Sequence, residues 1–321
     1  MKPEIVRVAL PDEVRGIYWT ALIAQSDRAD ELLAFMGEEG LNAVVIDLKM
    51  DNGEVVTPSS IVLLKIAEQN IYRIARIPVM RDGVFAEAHP ELALKRAGGS
   101  FWRDSIGSVW LDPAAPEVAD AAIELAREAH AIGFDEVQFD YVRFPSDGTI
   151  SSIVYPVWDG IEDKVTVMQR FFESVGAAMA LDGIPVSFDV FGMTFWSTND
   201  YNIGQRLLDV YPIADFVSPM VYPSHYPSGF EGYANPALYP YEIVKRSLDR
   251  GAEMLETELA IPKSESRKKF RPWLQAFDMG AVYDDARVRE QIRAARDAGA
   301  SGWILWNARN VYESMHLDVL E

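Results

Sequence analysis

The stretch Pro116–Tyr141, PEVADAAIELAREAHAIGFDEVQFDY, holds one full unit of the pattern that decides the fold. Val118, Ala121, Ala122, Leu125, Ala126 and Ala129 recur at the i, i+3, i+4, i+7 spacing of one buried helical face. Pro116 and Glu117 suit a first helical turn, where a missing N–H costs nothing and a negative charge is favourable. Gly133 supplies a left-handed stop, and Glu136–Tyr141 follows as a short β-rich run. Outward from this unit the same alternation repeats. Comparable apolar runs are Gly16–Thr20, Ala43–Leu48, Tyr72–Val79 and Val186–Val190, then Phe216–Val221, Trp273–Phe277 and Gly302–Trp306. Gly40, Gly183 and Gly299 stand, like Gly133, between a helical pattern and the next run. Near-continuous apolar strands such as Ala43-Val44-Val45-Ile46 suit a parallel sheet covered on both faces. Eight strands favour closure, so the chain reads as α/β, one (β/α)₈ TIM barrel over residues 1–321. The longest connections follow the third strand (Met80–Ala115), the fourth (Phe144–Asp163) and the sixth (Tyr222 to about Phe270), all of them βα loops. Leu259–Pro262 competes with Trp273–Phe277 for the seventh strand.

Composition narrows the partners. A hydrophobic fraction of 49% and a charged fraction of 25% describe an ordinary globular chain. With 49 acidic against 30 basic residues the net charge is −19, which repels nucleic acid and anionic membrane surfaces. The same field disfavours polyanionic sugars, so neutral or amino sugars fit better. No cysteine is present, which removes disulfides, thiolate metal sites and a cysteine nucleophile. The four histidines, His89, His130, His225 and His316, form no zinc-binding pair, and no cofactor or metal is expected. Met1-Lys2-Pro3-Glu4 opens no apolar segment of signal-peptide length, and no apolar run of about 18 residues occurs. No membrane insertion is expected. The chain as given is expected in the cytoplasm, or in the cell envelope or outside the cell if an export segment has been trimmed.

In a barrel, polar residues at the carboxyl ends of strands converge on one cleft. Here these are Asp47 and Lys49, Arg76, Asp140 and Arg143, and Asp189; later come Tyr222 with His225, Gln275, and Trp306 with Asn307. Asp140 and Asp189 are the strongest pair, because neighbouring parallel strands lie about 4.8 Å apart and set both carboxyls within reach of one sugar. Two carboxyl groups flanking a glycosidic bond suffice for its hydrolysis. In isolation, Asp140 in Asp-Tyr-Val-Arg would be a structural carboxylate paired with Arg143, and Asp47 with Lys49 a surface pair. Arg76 lies inside an apolar run and must meet a carboxylate, so it can hold Asp140 or Asp47 ionised. Aromatics are dense in the loops: Trp19, Trp102, Trp110, Trp158, Phe195 and Trp196, with Tyr201, Tyr222, Tyr226, Tyr233 and Trp306. Two or three of these are expected to stack against sugar rings and the rest to pack in the core.

Several segments carry a family resemblance. These are Gly16-Ile17-Tyr18, Asn42–Lys49, Phe101–Asp104, Gly133–Pro145 with Gln138-Phe139-Asp140-Tyr141-Val142-Arg143-Phe144-Pro145, Asp189–Gly192, Ser218–Tyr226 and Arg271–Phe277. In order and spacing they resemble the bacterial putative glycosyl hydrolase domain family. The resemblance runs from about Gly16 to Asn307. It implies a barrel related to α-glycosidases in which Asp140 is the nucleophile and Asp189 the proton donor, since the sixth-strand segment Ser218–Tyr222 carries no carboxylate. The expected function is therefore hydrolysis of a polysaccharide or oligosaccharide by a retaining mechanism. Asp47, Lys49, Arg76, Arg143, Tyr222, His225, Gln275, Trp306 and Asn307 are the expected substrate contacts. The alternative is a non-catalytic carbohydrate-binding barrel; a metal-dependent hydrolase with Asp47, Asp140 and Asp189 as oxygen ligands ranks behind both.

Overall fold

The computed structural model describes residues 6–312 and 315–317, so Met1-Lys2-Pro3-Glu4 lies outside the described residues. Eight parallel strands close a barrel in chain order: β1 Val14–Trp19, β2 Ala43–Asp47, β3 Tyr72–Pro78, β4 Glu136–Asp140, β5 Val186–Phe191, β6 Phe216–Met220, β7 Trp273–Gln275 and β8 Gly302–Trp306. Helices between the strands cover the outside, making the (β/α)₈ barrel that the alternation predicts. Local chemistry fixes their ends. Ser59, Asp163 and Asp284 accept backbone N–H groups in the first turns of helices Ser60–Glu68, Lys164–Asp182 and Asp285–Asp297. Gly133 and Gly183 close their helices at φ 124° and 67°, where a side chain would be strained. In helix Pro116–Ile132 the buried face carries Ala119 and Ile123, while Ala121 and Leu125 are half-buried. The face is turned slightly from the spacing expected, because it buries Ile123, larger than the alanine it displaces.

The structure redraws two boundaries. Ala260 ends helix Pro240–Leu259 in the left-handed region, so Leu259–Pro262 is a helix stop and not a strand. That helix also occupies much of the segment read as a loop after β6, leaving 221–239 as the actual βα connection. The connection after β3 is ordered by short antiparallel bridges, among them Arg81 with Trp110 and Ala93 with Leu111. The bridge between Lys95 and Val154 ties it to the connection after β4. Among the described residues, no helix is long and apolar enough to cross a membrane.

Alternation along the strands sorts side chains between two cores. Val137 and Phe139 of β4 join the large apolar layer between barrel and helices, as do Phe188 and Val190 of β5. Inside, Val14, Tyr18, Val45, Ile74, Trp273 and Ile304 form a smaller apolar cluster. Polar side chains complete the lumen in layers. Low in the barrel, Arg271 pairs with Glu136, which also accepts the Ser187 hydroxyl at 2.6 Å. Above them Gln138 donates to Ser218 at 3.1 Å. The top layer, at the carboxyl ends, is the one that opens to solvent.

Candidate active site

Asp140 is the last residue of β4, and the chain turns sharply just after it. Tyr141 sits at φ 52°, an unusual conformation for a residue with a bulky side chain, and its N–H donates to Asp140 Oδ1 at 2.6 Å. On β3, Arg76 donates to Asp140 Oδ2 from Nε at 3.0 Å and from Nη2 at 2.6 Å. Both oxygens of Asp140 are thus acceptors, and two of their three donors belong to a cation. The partner is Arg76, not Arg143. Arg76 also donates from Nη1 to Asp47 Oδ1 at 2.7 Å and from Nη2 to Asp51 at 3.2 Å. Burial works against its charge, but Asp140 and Asp47 outweigh that and hold Arg76 well above the ordinary guanidinium range.

Asp189 on β5 has a different environment. The ladder aligning Phe139 with Phe188 places Asp140 and Asp189 side by side on the lumen face. Asp189 is 2% exposed, and its Oδ1 accepts the Trp273 indole N–H at 2.7 Å. Oδ2 takes no hydrogen bond from the described residues. Burial first, and the charge of Asp140 second, push this carboxyl well above the usual carboxylate range; Arg76 and the Trp273 bond only partly oppose them. Two neighbouring carboxyls therefore differ in setting: Asp140 is ion-paired to a guanidinium, and Asp189 is biased toward its neutral acid.

These groups form the floor of a cavity of about 380 Å³, a size suited to a small ligand or one sugar unit. Of the residues expected as substrate contacts, Arg76, Arg143, Tyr222, His225 and Trp306 line it with the two aspartates. Burial and the nearby Asp189 and Asp140 raise the Tyr222 phenol, and burial pushes His225 down, toward neutral imidazole. Trp306 stacks on Tyr18 at 4.0 Å between ring centres and lies under the Arg76 guanidinium at 5.3 Å. Of the eleven loop aromatics, Tyr222, Tyr226 and Trp306 reach the cavity; Trp19, Trp102, Trp110 and Phe195 are core.

Four expected contacts are placed elsewhere. Asp47 is 5% exposed and lies behind Arg76, hydrogen-bonded to it and to the Tyr18 hydroxyl. Lys49 is no surface residue: the chain leaves β2 before reaching it, and it turns into a separate side cleft where it pairs with buried Asp82 at 2.5 Å. Gln275 is used by the backbone, accepting the Ser224 N–H at 3.1 Å and donating to Phe277 O at 2.9 Å, which fixes the turn carrying His225. Asn307 likewise donates to Ala276 O at 2.7 Å and Val311 O at 3.0 Å, locking the exit of β8.

A family model described as "Putative glycosyl hydrolase domain" matches residues 16–312, from inside β1 to beyond β8. The chain belongs to that family. No curated protein matches it. Among solved structures, the chain is similar to the PgaB (BpsB) glycoside hydrolase domain from Bordetella bronchiseptica, at 14% identity and a TM-score of 0.65, over 92% of this chain and 94% of that one. It is also similar to the spore cortex-lytic enzyme SleL of Bacillus megaterium QM B1551, at 12% identity and a TM-score of 0.56, over 98% of this chain and 74% of that one. The α-galactosidase TtGalA of Thermus thermophilus follows at 13% identity and a TM-score of 0.54, over 97% of this chain and 61% of that one. At these identities the likeness is one of fold.

Within this family barrel, the lining residues that the sequence reading passed over are apolar or sit where a strand looks like core. Trp273, Tyr141, Phe191, Met193 and Met220 all border the cavity. Trp273 carried the one available signal: two residues before Gln275, it shares a face of β7. Gly192 belongs to the wall because nothing larger fits, a Cβ there falling 2.6 Å from both Met220 O and the Tyr226 hydroxyl. Among the described residues no cluster of three or more His, Asp or Glu side chains is arranged to hold a metal ion. The space between Asp47 and Asp140, where a shared cation would lie, is taken by Arg76 itself.

Proposed function

We propose that this barrel hydrolyses a glycosidic bond in an oligosaccharide or polysaccharide by double displacement, with Asp140 as nucleophile and Asp189 as acid and then base. One observation carries the reading: two adjacent carboxyls share a cavity floor, Asp140 ion-paired to the Arg76 guanidinium and Asp189 biased toward its neutral acid. Asp140 attacks the anomeric carbon while Asp189 gives its proton to the departing oxygen, leaving a glycosyl ester on Asp140. Asp189, now a carboxylate, takes a proton from water as that water attacks the anomeric carbon, releasing the sugar and restoring both groups. Arg76 anchors the nucleophile's Oδ2, and Trp273 orients the acid through Oδ1. Trp306, Tyr222 and Tyr226 offer ring faces to the sugar. The named activities of the glycoside hydrolases sharing this fold are consistent with a carbohydrate substrate.

The test is a screen against defined glycans with product analysis, run on the wild type and on Asp140→Asn and Asp189→Asn. Asp140→Asn is expected to keep the wild-type thermal transition near neutral pH and Asp189→Asn to melt above it, both are expected to lose turnover, and proton NMR of the first-formed product should show retention at the anomeric carbon. Wild-type activity in both variants would sink the assignment. Sugar binding in the cavity without turnover by the wild type would mark a carbohydrate-binding barrel instead.

A further inference from the structure

Of the two guanidiniums that line the cavity, Arg76 is engaged by carboxylates and Arg143 is not. The described residues include five buried arginines. Arg73 pairs with Asp135, Arg76 with Asp140 and Asp47, Arg81 with Asp51, and Arg271 with Glu136. Arg143, 6% exposed, donates from Nη1 to the Phe144 carbonyl at 3.0 Å and meets no carboxylate of the described residues within ion-pair distance. The acidic groups around it are occupied. Asp140 is ion-paired to Arg76, and Asp147 accepts the Ser105 hydroxyl at 2.6 Å. Around Arg143 stand three rings: Phe191 at 4.5 Å, Trp110 at 4.9 Å and Tyr141 at 5.6 Å. They hold the planar group in place without neutralising it. Burial accordingly pulls its pKa below the ordinary guanidinium value.

A desolvated cation without a counter-charge is costly, and a carboxylate that receives its fork of parallel N–H groups relieves the cost. A sugar hydroxyl can accept one such bond but brings no charge. We infer that Arg143 is the anchor for a carboxylate carried by the glycan, so that the sugar seated beside Asp140, or its immediate neighbour, is a uronic acid. This deepens, and rests on, the assignment of the cavity as a glycan site. It also revises the expectation of neutral or amino sugars. The net charge of −19 opposes a densely anionic polymer, whereas one guanidinium serves a glycan whose carboxylates are sparse.

The probes are D-glucuronate, D-galacturonate and D-mannuronate, each titrated against its neutral hexose and the hexose 6-sulfate, with binding followed by ligand-observed NMR. At least one uronate is expected to bind wild-type protein about tenfold more tightly than its neutral hexose, the margin of one charge-assisted contact. Arg143→Gln should bring that ratio to about one, and Arg143→Lys, which keeps the charge but loses the fork, should leave an intermediate ratio. Equal binding of uronate and hexose by the wild type, a uronate preference surviving in Arg143→Gln, or a sulfate ester outbinding every uronate overturns the inference. The wild-type ratio decides even if Arg143→Gln does not fold. Asp140→Asn separates the two readings. Uronate preference in a protein that cleaves nothing leaves Arg143 standing and the hydrolase reading fallen, while Asp140-dependent cleavage of a neutral glycan without uronate preference does the reverse.

Discussion

β4 sends two acidic residues into the lumen on the same face, Glu136 at its start and Asp140 at its end, and each meets an arginine. Yet the two pairs differ in kind. Glu136 and Arg271 are both fully buried, low in the barrel, with Ser187 on the carboxylate, and neither lines the cavity. Asp140 and Arg76 lie at the open end, where one guanidinium serves three carboxylates and another acidic group, Asp189, stands beside it. The lower pair is closed, one charge against one. The upper group has acidic charge in excess, and that excess adds to burial in leaving Asp189 with its bias toward the proton. Similar residue chemistry on one strand thus yields a buried structural pair at one end and, in the proposed reading, a reactive centre at the other.

The sharpest way to break this contrast is to neutralise the two carboxylates separately. Asp140→Asn should cut turnover by about 10⁴-fold, as loss of a catalytic group does elsewhere, with little change in the denaturation midpoint. Glu136→Leu should do the opposite: it strands Arg271 and costs about 3–5 kcal/mol of stability in urea unfolding, while turnover per folded molecule holds. Adding Arg271→Met should recover most of that loss. If Glu136→Leu instead abolishes turnover at unchanged stability, the division of roles is wrong.

A smaller effect follows from the raised carboxyl. In the fold Asp189 keeps a proton that the unfolded chain loses above the ordinary carboxyl range, about pH 3.9, so its contribution to stability falls as pH rises toward its folded value. Asp189→Asn removes the penalty. Thermal unfolding should therefore show the variant gaining on the wild type above about pH 4, with the gap closing in acid. A gap that widens in acid would mean a lowered carboxyl and the wrong proton donor. The least disruptive change is Trp273→Phe, which deletes the indole donor worth about 1 kcal/mol. It should move the alkaline limb of the rate profile to higher pH, because the lost bond favoured the ionised form of Asp189.

The barrel was legible because each helix, glycine stop and strand repeats a local signal, and the match between Pro116–Tyr141 and the observed elements is close. Asp140, Asp189 and Arg76 were legible for a related reason: a charged residue ending an apolar run has few places to go but the strand-end cleft. What the reading could not supply was direction after the strand stops. Lys49 lies two residues beyond Asp47, which would put it on the same face of a continuing strand, but β2 has ended and the side chain turns outward to Asp82. Gln275 and Asn307 are polar at strand ends, yet nearby backbone groups take up their amides. Trp273 and Phe191 were hidden because an apolar side chain looks the same in sequence whether it fills a core or walls a cavity.

The ladder between β6 and β7 aligns at the single position Met220–Trp273, and the parallel bridge of Val217 with Phe270 extends it below. Resistance to local opening depends on how densely a region is bonded, so this seam is expected to open before the rest of the cylinder under native conditions. The residue at the seam is the one that holds Asp189. Amide exchange measured along β7 should therefore run ahead of that in β3 and β4, and a bound sugar pressing on Trp273 should slow it. Fluctuation and proton donor would then share one hinge, with occupancy of the site closing the weakest joint in the wall.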